Sequence, residues 1–115
     1  MKMSHDEYVE RATRENRAEA VAIAQEMLDG SLDYIDGSQR LSSIGSRIGF
    51  NESDPDFEIF RMIDSETDSL PVGHTREYWS ERALQRLQPE YERSVEWAKK
   101  MSLEHCMSIV RRFSA

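Results

Sequence analysis

Apolar residues recur at intervals of three and four positions along most of this chain, a spacing that places them on one face of an α-helix. Runs of alternating apolar and β-branched residues, which would indicate strands, are absent from the sequence. The pattern predicts a first helix from about Ser4 to Asp29. Ser4 and Glu7 form an S-x-x-E capping box at its start, and Gly30 stands where helices commonly end in the left-handed conformation.

Two more helices are predicted in the middle of the chain. The second covers roughly residues 32–48 and is interrupted by Gly37 and Gly45. A glycine inside a helix costs about 1 kcal/mol relative to alanine, so close packing against another helix is the favoured explanation for both. The third helix, residues 55–66, follows Asp54 as its N-cap and has proline at its first position.

The last third of the sequence predicts an ordered loop over residues 69–79 and then further helices. Ser80 caps a short helix that continues through Leu87, and Pro89 begins the next one. Two continuations remain open: a break near Ser102 followed by a final helix, or one long helix over residues 89–113. We favour the break, because serine is a good N-cap and a poor residue for a helix interior.

Together these elements predict an all-α protein: a single helical domain over residues 1–115, built as a compact bundle of five to six helices. The apolar positions that coincide on the inner faces of these helices form the expected core. They are Val21, Leu28, Ile35, Leu41, Ile44, Phe57, Phe60, Ile63, Trp79, Leu84, Val95 and Val110.

Composition and charge restrict the cellular compartment and the kinds of partner that we expect. The chain has 15 Lys and Arg against 22 Asp and Glu, for a net charge of −7. No segment approaches the ~20 apolar residues of a membrane helix, and the polar start lacks a secretory signal, so we expect no membrane contact. The single cysteine, Cys106, cannot form an internal disulfide, and a cytoplasmic location is expected. The acidic balance disfavours nucleic acid and favours a basic protein partner.

Most of the charge excess lies in residues 52–68, hereafter the acidic segment. This segment has a single base, Arg61, and seven acids: Glu52, Asp54, Asp56, Glu58, Asp64, Glu66 and Asp68. The helix dipole favours acids at a helix start but disfavours them at its end. A solvated face, a docking surface for a basic partner and a divalent-cation site are the three interpretations. The cation site has the weakest support, because the glycine and closing glutamate of a calcium loop are missing.

The roles of three residues that follow the acidic segment also have two interpretations. Trp79 can fill the core while Arg76 pairs with nearby acids, or both can join Tyr78 as interface anchors, since these residue types dominate binding hot spots. The docking interpretation predicts a partner-binding set of Glu52, Asp56, Glu58, Asp64, Glu66, Asp68, Arg76, Tyr78 and Trp79.

Signals for catalysis are sparse. His5, His74 and His105 have no metal-ligand spacing, and no phosphate-loop, dinucleotide or nucleophile motif is present. Cys106 directly follows His105, so the two side chains point about 100° apart on a helix and make a poor dyad; we expect Cys106 to be buried. His74, in the loop, is the histidine best placed for function. We predict no cofactor, no metal and no enzymatic activity, with a metal-dependent or His74-based hydrolase using Asp64, Glu66 and Asp68 as the alternative.

Several stretches resemble an uncharacterised family of small bacterial α-helical proteins of unknown function. They are Asp56-Phe57, Ile63 to Gly73, Arg76, Trp79, and the segment Gly37 to Gly49 with Arg40-Leu41-Ser42. The resemblance implies a bacterial cytoplasmic helical domain and brings no activity with it. In acidity and size the chain is also similar to immunity proteins, which neutralise toxins, although no motif carries that likeness.

These observations lead to one main expectation about function. The chain is expected to be a non-enzymatic acidic protein-binding module, pictured as an immunity protein that binds a basic toxin such as a nuclease. The hydrolase described above and a homo-oligomeric scaffold are the alternatives.

Overall fold

The computed structural model describes residues 3–71 and 73–114, with described side chains over 3–71 and 76–114. Its α-helices are α1 (His5–Asp29), α2 (Tyr34–Ile44), α3 (Pro55–Glu66) and α4 (Glu81–Phe113), and a short 3-10 helix covers Gly73–Tyr78. The described ranges contain no strand, which confirms the all-α class. The expected five to six helices are corrected to four, because the last predicted helices are one continuous helix.

Short polar side chains begin each α-helix, and the sequence predicts three of these four caps. Ser4 Oγ accepts from the backbone N–H of Glu7 at the start of α1, and Asp54 and Ser80 cap α3 and α4 in the same way. Gly30 ends α1 with φ of 87°, a left-handed conformation that favours glycine. These caps explain why the boundaries predicted for α1 and α3 agree with the structure.

The second helix is shorter than the expected 32–48. It begins only at Tyr34, because the carboxylate of Asp33 accepts from the N–H groups of Ile35 and Asp36 and so acts as its N-cap. It ends at Ile44, next to Gly45. A Cβ at Gly45 would lie 2.7 Å from Phe57 Cδ1, so the absence of a side chain permits α2 and α3 to approach closely.

The fourth helix is continuous over 33 residues, so the favoured break near Ser102 is wrong. Ser102 is buried, and its hydroxyl donates to the carbonyl of Ala98 at 2.6 Å within the same helix, so it does not act as a cap. Pro89 is exposed inside the helix. The carbonyl of Gln85, which loses its intrahelical partner there, lies on an exposed stretch of the chain.

One core joins the four helices, and half of its predicted members are buried: Ile35, Leu41, Ile44, Phe57, Phe60 and Ile63. Val21, Leu84, Val95 and Val110 are half-buried. Two expectations need correction: Leu28 is 37% exposed and Trp79 is 36% exposed. The space is filled instead by residues that include Ala20, Ile23, Ala24, Met27, Tyr34, Leu70, Tyr91, Ala98, Cys106 and Ile109.

The helices pack so that α3 contacts both α2 and α4, while α1 lies against α2 and α4. Phe50 closes one end of the core, with its ring centroid 4.6 Å from that of Phe57 and 5.3 Å from that of Phe113. Within the described part of the chain, no helix has the length and apolarity needed to cross a membrane. The contact of α3 with α4 brings polar side chains of the two helices together.

Candidate functional site

The acidic segment divides into an inward and an outward part. Asp54 and Asp56, at the start of α3, turn toward α4 and have side chains only 6% and 13% exposed. Glu52, Glu58, Glu66 and Asp68 are exposed, and Asp64 is half-buried. The segment is therefore not one continuous surface of seven acids.

The inward acids belong to a polar cluster of Asp54, Asp56, His105, Ser108 and Arg112. Arg112 donates a hydrogen bond from each of its two terminal nitrogens to the carboxylate of Asp54, at 3.0 and 2.8 Å. It also donates to Asp56 Oδ2 at 2.6 Å. The Nδ1 atom of His105 lies 2.8 Å from Asp56 Oδ1, and the Ser108 hydroxyl donates to Oδ2 at 2.5 Å. Three side chains of α4 thus hold two carboxylates of α3.

Helix geometry explains how the chain builds this polar cluster. His105, Ser108 and Arg112 are three and four residues apart and share one face of α4. Arg112 lies in the last turn of α4, where a cation is favoured, and Asp56 lies in the first turn of α3, where an anion is favoured. Ser108 and Arg112 were not among the residues predicted from the sequence to form a site. Their spacing with His105 was the available signal, but the side of α4 that faces α3 is set by tertiary packing.

Electrostatics in the polar cluster favours ionised carboxylates. The hydrogen bonds from Arg112 lower the pKa of Asp54 despite its burial. Burial alone would raise the pKa of Asp56, but the bonds from Ser108, His105 and Arg112 together outweigh it and lower that pKa. The same contacts raise the pKa of Arg112, so the three charges remain fixed at neutral pH.

The polar cluster contains Ser, His and Asp, yet its geometry does not form a nucleophilic triad. In a triad the serine donates to the histidine, which in turn donates to the aspartate. Here Ser108 and His105 each bond separately to Asp56, so the serine has no base to activate it. Cys106 is buried, as expected, and burial raises the pKa of its thiol to about 12, which suppresses its reactivity. The arrangement supports a clamp between two helices rather than covalent catalysis.

The outward acids are not balanced by the one base in their segment. Arg61 donates to the backbone carbonyls of Glu52 and Gly45, at 2.6 and 3.2 Å, and its guanidinium is occupied by main-chain oxygens. Burial and the nearby charge of Asp68 raise the pKa of Asp64. This end of α3 therefore presents carboxylates that repel one another.

The three predicted interface residues that follow α3 are Arg76, Tyr78 and Trp79. Arg76 lies over the ring of Tyr91, with its guanidinium carbon 5.5 Å from the centroid. Tyr78 is 80% exposed, and Trp79 is partly exposed beside it. Between described side chains, no ion pair joins Arg76 to the acidic segment.

The hydrolase alternative gains no specific support. The prediction for His74 concerns a side chain outside the described residues. Among the side chains that are described, no group of three or more His, Cys, Asp or Glu is placed to hold a metal ion.

Comparisons with known proteins give no match for this chain. No protein-family model, curated protein or solved structure matches the chain. The resemblance to uncharacterised bacterial helical proteins therefore stays a hypothesis.

Proposed function

We propose that this protein is a non-enzymatic binding module whose acidic surface docks a basic protein. The acidic surface comprises Glu52, Glu58, Asp64, Glu66 and Asp68. The observation that carries the proposal is the position of Arg61, the one base of the acidic segment, which is bonded to backbone carbonyls. Because Asp54 and Asp56 are internally paired, we leave Asp56 out of this surface.

The state of Asp64 gives the surface a physical reason to bind cations. Its pKa is raised by burial and by the neighbouring charge of Asp68, so the ionised form costs free energy at neutral pH. A lysine or arginine of a partner placed between the two carboxylates would offset their mutual repulsion. Such complementarity acts most strongly on the rate of association and on the choice of partner.

Two aromatic residues that follow the acidic segment in the sequence supply the apolar part of the proposed contact. Tyr78 and Trp79 are both exposed in the connection that leads from α3 to α4. Tyrosine and tryptophan carry a large share of the binding energy in many interfaces. The finer form of the proposal is an immunity protein whose carboxylates occupy the phosphate-binding track of a basic toxin such as a nuclease.

A charge-neutralising variant tests the acidic surface. The tagged wild-type chain and a Glu58→Gln/Glu66→Gln/Asp68→Asn variant are used to capture proteins from a bacterial extract at low and high salt. A matched control, Glu10→Gln/Glu26→Gln/Glu90→Gln, removes the same charge from exposed sites elsewhere. Each captured protein is then purified and its dissociation constant measured by calorimetry.

We expect the extract to contain a basic protein that binds the wild type and the control variant equally. Its affinity for the acidic-surface variant should fall at least about tenfold, and high salt should weaken its binding to the wild type. Equal weakening by both variants would show a response to net charge only. If the wild type captures no protein, or captures an acidic protein, the proposed docking surface is contradicted.

A further inference from the structure

The outer side of α4 carries a row of cations that the fold does not use. Arg82, Arg86, Arg93, Lys100 and Arg111 are all exposed and lie within about 40° of one another around the helix axis, and one exposed acid, Glu104, lies in the same sector. We call this row the basic face. It lies opposite the buried side of α4, and none of its members forms an ion pair with another described side chain.

An exposed tryptophan interrupts the basic face near its centre. Trp97 lies between Arg93 and Lys100 on the helix, and 37% of its surface is open to solvent. The two cations are separated by about 10 Å along the axis, because each residue of an α-helix advances by about 1.5 Å. The order along α4 is therefore base, large apolar residue, base.

The outward side of α3 has the opposite charges in the same order. Glu58, Met62 and Glu66 follow one another at intervals of four residues on its exposed side, and 37% of the surface of Met62 is open to solvent. The two acids are about 12 Å apart along the axis, close to the spacing of Arg93 and Lys100. A methionine placed against a tryptophan also makes a favourable contact between sulfur and ring.

We propose that the occupant of the basic face is a second copy of this chain, docked through its α3. Glu58 and Glu66 of one copy pair with Arg93 and Lys100 of the other, and Met62 packs on Trp97. Because α3 and α4 are neighbours in each copy, a two-fold arrangement makes this contact twice and closes at a dimer.

The net charge decides what kind of association this is. Two copies of charge −7 repel each other at long range, so only short-range complementarity can hold them together. The repulsion also disfavours a nucleic acid on the same face, since phosphates would meet the same negative molecule. The dimer should therefore be weak and should dissociate when salt screens the paired charges.

A charge-swap experiment tests the contact in both directions. One variant carries Glu58→Lys/Glu66→Lys and the other carries Arg93→Glu/Lys100→Glu, all at exposed positions. The mass of the wild type, of each variant and of their equimolar mixture is measured by analytical ultracentrifugation at about 50 mM and about 500 mM salt. Circular dichroism shows whether each variant is folded.

The wild type should reach about twice the chain mass of 13.4 kDa at low salt and should return to one chain mass at high salt. Each variant alone should be monomeric, because both of its faces then carry the same sign. The mixture should associate again, because the lysines of one variant meet the glutamates of the other. Restoration in the mixture also shows that both variants kept their fold.

Three results would overturn the inference. They are a wild type that is monomeric at every concentration up to the solubility limit, a dimer that persists in both variants, and a mixture that fails to associate when both variants are folded. A further arm of the experiment adds single-stranded DNA to the wild type at low salt. Binding of the DNA to a monomer, abolished by Arg93→Glu/Lys100→Glu, would assign the basic face to nucleic acid instead.

The self-association shares Glu58 and Glu66 with the proposed docking surface, yet the two proposals fail separately. The Arg93→Glu/Lys100→Glu variant keeps every acid of the acidic surface, so it should still bind a basic protein. If it loses the dimer and keeps that partner, both proposals are supported. If the dimer forms and no basic partner exists, the second copy alone accounts for the acids.

Discussion

The phenol of Tyr91 donates a hydrogen bond of 2.6 Å to Asp33 Oδ2. The other oxygen of this carboxylate accepts the N–H groups of Ile35 and Asp36 and caps α2. One aspartate therefore both begins a helix and ties it to α4. Burial and the carboxylate of Asp33 raise the pKa of Tyr91, so the phenol stays protonated and keeps its role as a donor.

Replacement of Tyr91 by phenylalanine removes this donor and little else. The free energy of unfolding should fall by about 1 kcal/mol, the usual net value of one hydrogen bond, with a larger loss if water does not reach Asp33. Urea unfolding followed by circular dichroism measures the change. Tyr78→Phe is the matched control, because Tyr78 is 80% exposed and its replacement should have almost no effect. Equal effects of the two substitutions would contradict the role assigned to Tyr91.

Arg112 should be the costliest surface arginine to remove. Arg112→Ala leaves two largely buried carboxylates without their cation, and such a loss costs about 3–5 kcal/mol where the whole pair is buried. Because the Arg112 side chain is 41% exposed, we expect the lower end of this range. Arg112→Lys should recover only part of this, because an ammonium cannot grip Asp54 with two parallel bonds. Thermal unfolding gives the ranking of wild type, lysine variant and alanine variant.

The neighbouring Arg111 provides the control for that series. It is exposed and has no ion pair with another described residue, so Arg111→Ala should change the free energy of unfolding by about 0.5 kcal/mol or less. The measurement is made at high salt, which keeps any self-association from contributing. A loss at Arg111 as large as that at Arg112 would show that general charge, rather than the polar cluster, governs stability.

Acid should weaken the fold through the polar cluster. The pKa values of Asp54 and Asp56 are lowered in the folded chain, so the unfolded chain takes up protons first as the pH falls. Their contribution is complete above the unfolded pKa of about 3.9, and it is lost as the pH falls through the lowered folded values. Urea unfolding between about pH 6 and pH 3 should therefore show little change above about pH 5 and decreasing stability below about pH 4.

An Asp54→Asn/Asp56→Asn variant separates this contribution from other carboxylates. Asparagine still caps a helix, so the start of α3 should be preserved. The variant should be less stable than the wild type at neutral pH, and its stability should depend less steeply on acid. If the two curves remain parallel down to pH 3, the polar cluster is not the source of the acid sensitivity.

The sequence predicted the starts of α1, α3 and α4 because capping is a local interaction, whereas it missed the Asp33 cap of α2. Ser4, Asp54 and Ser80 each satisfy backbone groups within three residues, so the information lies in adjacent positions. The break near Ser102 failed for the opposite reason. A serine can cap a helix or return its hydroxyl to the preceding turn, and burial against other helices decides between the two.

For a related reason, the sequence could not predict which acids of the acidic segment face inward and which face outward. Asp54 and Glu58 differ little as residues, but Asp54 faces Arg112 while Glu58 faces solvent. That difference depends on how α3 is rotated against α4, which many distant contacts set together. The charge pattern could therefore predict an acidic stretch, but the members paired inside the fold follow only from its packing.

Gly37 and Met27 should depend on each other energetically. A Cβ on Gly37 would overlap the side chain of Met27, so Gly37→Ala forces that side chain to move and should cost about 1–3 kcal/mol. Met27→Ala empties buried space and should cost about 2–5 kcal/mol. The double variant should be more stable than the sum of the two losses implies, because the new methyl group enters the vacated space. Simple additivity in urea unfolding would contradict this contact.

The thiol of Cys106 should report on unfolding of the core. Its side chain is fully buried, with Sγ 3.9 Å from the sulfur of Met27, and burial raises its pKa to about 12. The thiolate, which is the reactive form, is therefore both scarce and shielded in the folded chain. Modification by a disulfide reagent at neutral pH should be slow and should accelerate sharply across the urea transition. If the folded protein reacts as fast as the urea-unfolded chain, α1 and α4 do not pack around this residue as described.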